Sequence, residues 1–202
     1  MLTSRCSTSL AALAAEVIDY HEAALQEAGL QGSHGDGGRR TLAPAGLQLG
    51  LEPDDLLTRL PALQLNLLST VAMCQAVVPH LVDQGWGRII AITSHSVRQP
   101  VANLILSNTA RAGFTAFLKT VATEVAADGV TVNSLQPGLH NTARLAGLYG
   151  GDVSGAAAAV PAQTLGDPAD FGRIAAFLCS ESAKYITGVS LPVDGGAVKG
   201  LQ

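Results

Sequence analysis

The pattern of apolar and polar positions is most regular between residues 88 and 138. Arg88–Thr93 is a short run rich in β-branched residues, which is typical of a buried strand. Polar residues and a proline then predict a loop over Ser94–Asn103. From about Ile105 the apolar positions recur at helical spacing, and Asp128-Gly129 is expected to end that helix with a left-handed cap. The positions on one stripe of this helix are Ser107, Arg111, Phe114, Leu118, Val121 and Val125.

A second strand is predicted over Val130–Leu135, and Pro137-Gly138 is expected to stop it. The order strand, helix, strand indicates a βαβ unit with a right-handed crossover. Open α/β sheets hold their ligands at the carboxyl ends of the strands, so the polar residues that follow each strand are candidates for a functional site.

The rest of the chain extends this pattern without an internal repeat or a second domain. Asn141–Ala159 is small, polar and glycine-rich, so we expect a mobile lid more than a core element. Further helices are predicted at Ser9–Gly29, Glu52–Arg59, Leu63–Leu81 and Asp167–Ser180, with a weak strand at Arg40–Ala43 and a last strand at Val189–Val193. The strands near residues 88–93, 130–135 and 189–193 should be parallel neighbours in that order.

Composition is that of a soluble α/β domain. The chain has 202 residues, 48% of them hydrophobic and 14% charged, and a formal net charge of −4. No basic block favours nucleic acid as a partner, and no uninterrupted apolar run reaches the roughly 18 residues of a membrane span. Cys6, Cys74 and Cys179 are too far apart for a metal-ligand motif and predict no disulfide framework. We therefore expect a cytoplasmic protein with no metal site.

Several motifs occur together and in order along the chain. Asn66 lies in LNLLSTV, Ser94 follows RIIAIT, and GVTVNSLQPG is followed by LGDPADFGRIAAFLCSESAKYITGVSLPVDGG. From about Pro44 to its end the chain resembles the short-chain dehydrogenase/reductases, in particular those of the 3-oxoacyl-carrier-protein reductase kind. Each motif alone is a weak signal, but their combination over about three quarters of the chain is specific.

This resemblance implies an α/β fold with a Rossmann-like doubly wound parallel sheet. It also implies an oxidoreductase that acts on a carbonyl or a secondary alcohol with NAD or NADP. Asn66 and Ser94 match catalytic positions of the family, while Pro137, Gly138, His140 and Thr142 match the turn that meets the nicotinamide. The family usually forms dimers or tetramers through helices that correspond to residues 65–82 and 107–127. A small-molecule substrate and a homo-oligomer are the partners to expect.

The chain departs from the family at the catalytic helix. Ser107 stands where the family has its tyrosine, which donates or accepts the proton, and Arg111 stands where it has the lysine that binds the nicotinamide ribose. A serine hydroxyl is a far weaker acid than a phenol and needs an adjacent base to take part in proton transfer. Arg111 could hold ribose hydroxyls, although it cannot act as a base. His95, His140 and Tyr149 are alternative sources of the proton. If the alignment holds, the side chains of Asn66, Ser94, Ser107 and Arg111 converge at one edge of the sheet.

A second departure lies at the amino-terminal end. No T-G-x-x-x-G-I-G loop, whose amides bind the cofactor diphosphate in the family, is found in residues 1–43. We therefore expect one Rossmann-like domain over residues 1–202. In this domain residues 1–43 form a degenerate amino-terminal part and residues 44–202 form the family-like core. The domain is expected to be shorter at its amino-terminal end than the family's. Two alternatives stay open: an inactive relative that serves as an oligomer-forming scaffold, and a fragment of a longer reading frame.

Overall fold

The computed structural model describes residues 56–102, 104–148 and 152–201. The predicted helix at Ser9–Gly29, the weak strand at Arg40–Ala43 and Tyr149 lie outside the described residues. The α-helices are α1 (Leu56–Leu63), α2 (Ser69–Asp83), α3 (Ile105–Val125), α4 (Ala143–Leu148), α5 (Ser154–Ala158) and α6 (Pro168–Leu178). The strands are β1 (Gly87–Ile92), β2 (Val130–Pro137) and β3 (Ser190–Val193), and short 3-10 turns lie at His95–Val97, Ala126–Asp128 and Glu181–Ala183.

The three described strands form one parallel sheet in the order β1-β2-β3, as the sequence predicts. Gly87 pairs with Val130 and Ile92 with Leu135, so the carboxyl ends of β1 and β2 lie side by side. β3 pairs with the second half of β2, from Ser134–Ser190 to Pro137–Val193. Residues 130–136 of the central strand are all buried, because helices cover both faces of the sheet.

Helix α3 follows its predicted stripe closely. Ser107, Arg111, Phe114, Leu118, Val121 and Val125 are all buried. The helix passes into a 3-10 turn and ends at Gly129, whose φ of 74° is the predicted left-handed cap. The apolar part of the stripe packs with Val130 and Val132 of β2 into one core cluster.

A second cluster covers the opposite face of the sheet, as a doubly wound fold requires. Leu135 alternates with Val132 along β2 and points to this other face, where it packs against Phe171 and Leu178 of α6. Helix α6 starts as predicted, with the side chain of Asp167 accepting a hydrogen bond of 2.8 Å from the Ala169 amide.

The predicted helix at Leu63–Leu81 is interrupted by a π-helical turn over Gln64–Leu68. Asn66 sits in this turn, and its side-chain amide donates to the Ala62 carbonyl at 2.9 Å. In a regular α-helix the Ala62 carbonyl would accept from the backbone amide of Asn66. The Asn66 side chain therefore competes with that backbone hydrogen bond. The turn joins α1 and α2 without a break.

The whole helical stretch Leu60–Asp83 is long and apolar enough to cross a membrane, by length and composition alone. This differs from the expectation of no membrane-length segment. The expectation counted uninterrupted apolar residues, whereas this stretch contains scattered polar residues but only one charged residue, Asp83. Mostly buried core helices of soluble proteins pass the same test, whereas this stretch is 11% buried within the described residues.

The segment expected to form a lid contributes core positions instead. Leu145 of α4 and Ala156 of α5 are buried, and so is Val160, which follows the segment directly. The amide of Ala162 donates to the Gly195 carbonyl at 3.1 Å, which ties the residues after the segment to the turn after β3. Small residues permit this close packing, so their presence did not indicate an exposed lid.

Candidate active site

The loops that follow β1 and β2 are tied together at the carboxyl edge of the sheet. The amide of Thr93 donates to the Leu135 carbonyl at 2.9 Å, and the Thr93 hydroxyl reaches the same oxygen at 3.3 Å. His95 Nδ1 donates to the Pro137 carbonyl at 3.1 Å, because a carbonyl oxygen can only accept. These bonds fix the residues after β1 relative to the end of β2.

Ser94 lies at the start of this loop in an extended conformation. Its hydroxyl oxygen accepts from the Ser96 amide at 3.1 Å and so caps the 3-10 turn His95–Val97. The side chain is half-buried. The hydroxyl proton of Ser94 is not used in that bond and can be donated to a bound oxygen atom.

Arg111 links α3 to the end of β1. Its guanidinium Nη1 donates to the Thr93 carbonyl at 2.8 Å, and its Nε donates to the Ser107 hydroxyl oxygen at 3.2 Å. Arg111 is only 7% exposed and Ser107 only 8%. A buried guanidinium requires such partners, since an unpaired buried charge is costly. The arrangement brings Ser107, Arg111 and the loop that carries Ser94 to one place.

Asn66 lies on the neighbouring π-helical turn. It is buried, and its amide nitrogen is used by Ala62. Its Oδ1 is enclosed and has no hydrogen-bond partner within the described residues. The helix α3 packs close to this turn, with Leu67 facing Gly113. The geometry therefore places Asn66 beside α3 but gives it no direct bond to Ser94, Ser107 or Arg111 among the contacts of the described chain.

The turn after β2 holds the remaining predicted positions. Gly138 donates its amide to the Val193 carbonyl at 3.0 Å, which fixes the turn to β3. Thr142 accepts at its hydroxyl oxygen from the Leu145 amide at 3.2 Å and so caps α4. His140 is buried, and its Nδ1 donates to the Gly138 carbonyl at 3.2 Å. The carbonyl oxygen of Pro137 accepts the hydrogen bond from His95.

Sequence reasoning missed three contributors to this site. The Thr93 carbonyl receives Arg111, while Gly166 and Phe171 enclose His140. The position of Thr93 directly before Ser94 was the feature of the sequence that could have indicated the Thr93 carbonyl. Gly166 and Phe171 both lie in the LGDPADF motif, but nothing in that motif indicates a histidine partner 26 or more residues earlier.

This edge offers hydroxyl groups, the imidazole of His95 and the guanidinium groups of Arg98 and Arg111. Such donors bind oxygen-rich groups such as sugar hydroxyls and polarised carbonyls. No group of three or more His, Cys, Asp or Glu side chains in the described part of the chain could hold a metal ion. The donor set thus fits the ribose end of a nucleotide and an oxygen-bearing substrate.

Residues 57–198 match the family model described as enoyl-(acyl carrier protein) reductase. The chain belongs to the short-chain dehydrogenase/reductase family. This membership confirms the resemblance drawn from the motifs, and it accounts for the parallel sheet with helices on both faces.

Relatives of the family match in sequence and in structure. The 3-oxoacyl-(acyl-carrier-protein) reductase FabG of Vibrio cholerae is 36% identical over 153 residues, which cover 73% of this chain and 63% of FabG. The acetoin dehydrogenase YohF of Salmonella typhimurium superposes with a TM-score of 0.63 at 26% identity, over 72% of this chain and 57% of that chain. ElxO, solved with NADP bound, superposes with a TM-score of 0.62 at 25% identity, over 67% of this chain and 56% of that chain.

The match covers only part of these relatives. The chain spans 53% to 63% of the length of the first curated relatives, so it corresponds to the carboxyl-terminal part of the family fold.

Proposed function

We propose that the protein is a nicotinamide-dependent oxidoreductase that interconverts a carbonyl group and a secondary alcohol. The observation that carries the proposal is the buried Arg111, which joins the Ser107 hydroxyl to the end of β1 beside Ser94. Family membership supports the reaction class. The name of the Vibrio cholerae relative, a 3-oxoacyl-(acyl-carrier-protein) reductase, makes a 3-oxoacyl thioester the first substrate to test.

In this proposal the two serines act on the carbonyl oxygen of the substrate. Ser94 donates its free hydroxyl proton as a hydrogen bond and holds that oxygen in place. Ser107 supplies the proton that converts the oxygen to a hydroxyl, and solvent then restores the proton to Ser107. Arg111 assists because its Nε–H already points at the Ser107 oxygen, where it stabilises the negative charge that develops as the proton leaves.

The cofactor is assigned to the same edge. A bound nicotinamide supplies the hydride in this reaction class. Arg111 would hold ribose hydroxyls, and Pro137, Gly138, His140 and Thr142 form the turn that would contact the nicotinamide. Asn66, with its enclosed and unpartnered Oδ1, would accept from a bridging water behind Arg111. The bound NADP of ElxO supports a nicotinamide dinucleotide as the class of cofactor.

Catalysis should be slower than in a tyrosine-bearing relative. A positioned general acid typically contributes about 10²–10⁴ in rate, and a serine hydroxyl is a weaker acid than a phenol. Arg111 offsets part of this loss through its charge. We therefore expect weak binding of the dinucleotide and little or no carbonyl reduction by this chain.

The apolar outer face of α2 is assigned to a second copy of the chain. Leu68 is 55% exposed and Met73 66%, and Val77 and Ile105 are about half exposed. Met73 and Val77 lie on α2, Leu68 directly precedes α2, and Ile105 is the first residue of α3. The corresponding helices form subunit contacts in the family. A soluble oligomer in the cytoplasm is the arrangement that this surface favours over membrane insertion.

Titration calorimetry of the purified chain with NAD(H) and NADP(H), followed by turnover assays on acetoacetyl and longer 3-oxoacyl thioesters, tests the proposal. We expect weak binding of one dinucleotide and little reduction, and Ser94→Ala should lower any residual reduction by at least about tenfold. Ser182→Ala, an exposed serine away from this edge, is the matched control. A chain that binds neither dinucleotide and reduces no thioester, yet forms a stable oligomer, would favour the scaffold alternative.

A further inference from the structure

His140 is enclosed on three sides by groups from different parts of the chain. Its ring is 6% exposed and meets the Phe171 ring edge-to-face, with 5.0 Å between the centroids. Its Nδ1 lies 3.2 Å from the Gly138 carbonyl oxygen. Because that oxygen can only accept, the ring carries its proton on Nδ1. The imidazole therefore bridges the turn after β2 and the first turns of α6.

Gly166 completes the enclosure on the side of the other ring nitrogen. A Cβ added at Gly166 would lie 2.5 Å from His140 Cδ2 and 2.6 Å from Nε2. The φ of Gly166 is not positive, so left-handed strain would not oppose a larger residue there. The obstacle to a larger residue at position 166 is the histidine ring and not the backbone.

The backbone around this contact forms a short ladder. Gly166 donates to the Leu139 carbonyl and accepts from the Asn141 amide, each at 2.9 Å. His140 lies between these two bonds, and Asp167, which caps α6, follows Gly166 directly. The ring thus packs over the ladder that ties residues 139–141 to the start of α6.

We propose that His140 is a positioning residue that locks the turn 137–142 against Gly166 and Phe171. This inference rests on the proposed function, in which that turn contacts the nicotinamide. The lock holds the Gly138 carbonyl and the amides of the turn in one orientation, which the bound nicotinamide requires for hydride transfer. His140 acts through the turn and takes no part in proton transfer.

The geometry argues against His140 as the general acid. The Nδ1 proton is already donated to Gly138, and Nε2 faces Gly166 at close range. The four residues Gly138, Gly166, Phe171 and His140 form a packed unit rather than an open proton relay.

The first experiment measures the lock without any cofactor. Gly166→Ala should lower Tm by more than about 4 °C, because the new methyl group overlaps the imidazole. His140→Ala removes the ring, so Gly166→Ala should cost little or nothing in that background. Gly155→Ala, where a Cβ meets nothing within 4 Å, is the matched control and should not lower Tm. Equal losses from Gly166→Ala with and without the histidine ring would overturn the lock.

Hydrogen exchange of backbone amides separates a local lock from a general loss of stability. His140→Ala should speed exchange of the Asn141 and Gly166 amides by at least about tenfold while Val132, in the middle of β2, keeps its rate. His140→Asn can donate to Gly138 from nearly the same position as Nδ1, so it should restore part of the protection. Faster exchange at all amides alike would contradict a local role.

Kinetics then test the consequence for the reaction. His140→Ala should lower kcat about ten- to hundredfold with a smaller change in the KM for the dinucleotide, because the nicotinamide is held but misplaced. His140→Asn should recover part of kcat, and the pH profile of kcat should keep its shape. Loss of one limb of that profile would make His140 the acid and overturn the proposal. His80→Ala, an exposed histidine on α2, is the control.

The two hypotheses fail in different ways. A wild-type chain that binds no dinucleotide and turns over no substrate refutes the proposed function, while the Tm and exchange measurements still decide whether His140 locks the turn. An active wild-type chain whose His140→Ala variant keeps its full kcat refutes the positioning role alone.

Discussion

Arg111 Nε donates to the hydroxyl oxygen of Ser107 across 3.2 Å, one turn earlier on α3. Both side chains are buried, and the same guanidinium reaches the Thr93 carbonyl at 2.8 Å. From the resemblance we expect this pair at the positions of the family's tyrosine and lysine. In the structure the two side chains hydrogen-bond to each other, and Arg111 also hydrogen-bonds to the end of β1, which places a cation beside a serine oxygen.

A double-mutant cycle measures this pair. Ser107→Ala should destabilise the protein by about 1 kcal/mol, because Arg111 loses an acceptor in a buried site. Arg111→Lys should cost about 1–3 kcal/mol, since an ammonium group cannot reproduce the fixed fork of the guanidinium. After Arg111→Lys, the serine substitution should cost almost nothing further. Urea denaturation of the four proteins gives the coupling energy.

Thr109→Ala is the control for that cycle. Thr109 is exposed on the same helix, and within the described residues its hydroxyl donates to the Ile105 carbonyl alone. Its replacement should change the free energy of unfolding by less than about 0.5 kcal/mol. Additive losses from Ser107→Ala and Arg111→Lys would mean that the 3.2 Å contact contributes no coupling.

The helix α3 and the three strands could be predicted because each carries a strong local pattern. A continuous apolar stripe identified α3, and β-branched runs bounded by glycine and proline identified β1 and β2. The parallel order followed from one βαβ unit and a final strand. These features depend on residues that are near one another along the chain.

The partners of Arg111 and His140 could not be predicted in the same way. The Thr93 carbonyl lies 18 positions from Arg111, and Gly166 lies 26 positions from His140, so each contact depends on how two elements pack. The π-helical turn at Asn66 depends on a competition between a side-chain amide and a backbone amide for one carbonyl, which a periodicity count does not register. The burial of Ala156 shows that small residues in a glycine-rich segment can fill tight contacts.

Asp167→Ala tests the start of α6. The carboxylate accepts from the Ala169 amide at 2.8 Å, and loss of a side-chain cap costs about 1 kcal/mol. Asp167→Asn keeps an acceptor oxygen and should recover most of that loss. Thermal unfolding of both variants provides the comparison, and an asparagine variant no more stable than the alanine variant would show that the cap bond is not what Asp167 contributes.

The outer face of α2 can be tested by placing charge on it. Met73→Lys combined with Val77→Lys should shift the protein from oligomer to monomer in light scattering at tens of micromolar, because two buried lysines oppose association. Both wild-type side chains are exposed in the single chain, so the folded monomer should keep its stability. Gln75→Lys, an exposed position on another side of the same helix, is the control and should leave the oligomer intact. A monomeric wild-type protein would refute the assignment of this face.

The turn between α3 and β2 offers the sharpest test of backbone geometry. Gly129 has a φ of 74°, and a Cβ there would lie 2.4 Å from the Gly85 carbonyl oxygen. Gly129→Ala should therefore combine left-handed strain with a steric clash and cost about 2–4 kcal/mol. Gly85 has a similar φ of 64°, but a Cβ there meets nothing within 4 Å.

Gly85→Ala is thus a matched control that contains the strain without the clash, and it should cost only about 1–2 kcal/mol. Chemical denaturation gives the loss in free energy of unfolding for each variant. The difference between the two losses is the energetic cost of the clash between the turn before β2 and the loop before β1. The Gly129 carbonyl also accepts from Arg88 at 3.2 Å, so a displaced turn should weaken that bond as well. Equal losses at the two glycines would mean that the turn moves away freely, and that the amino ends of β1 and β2 are not held together by this contact.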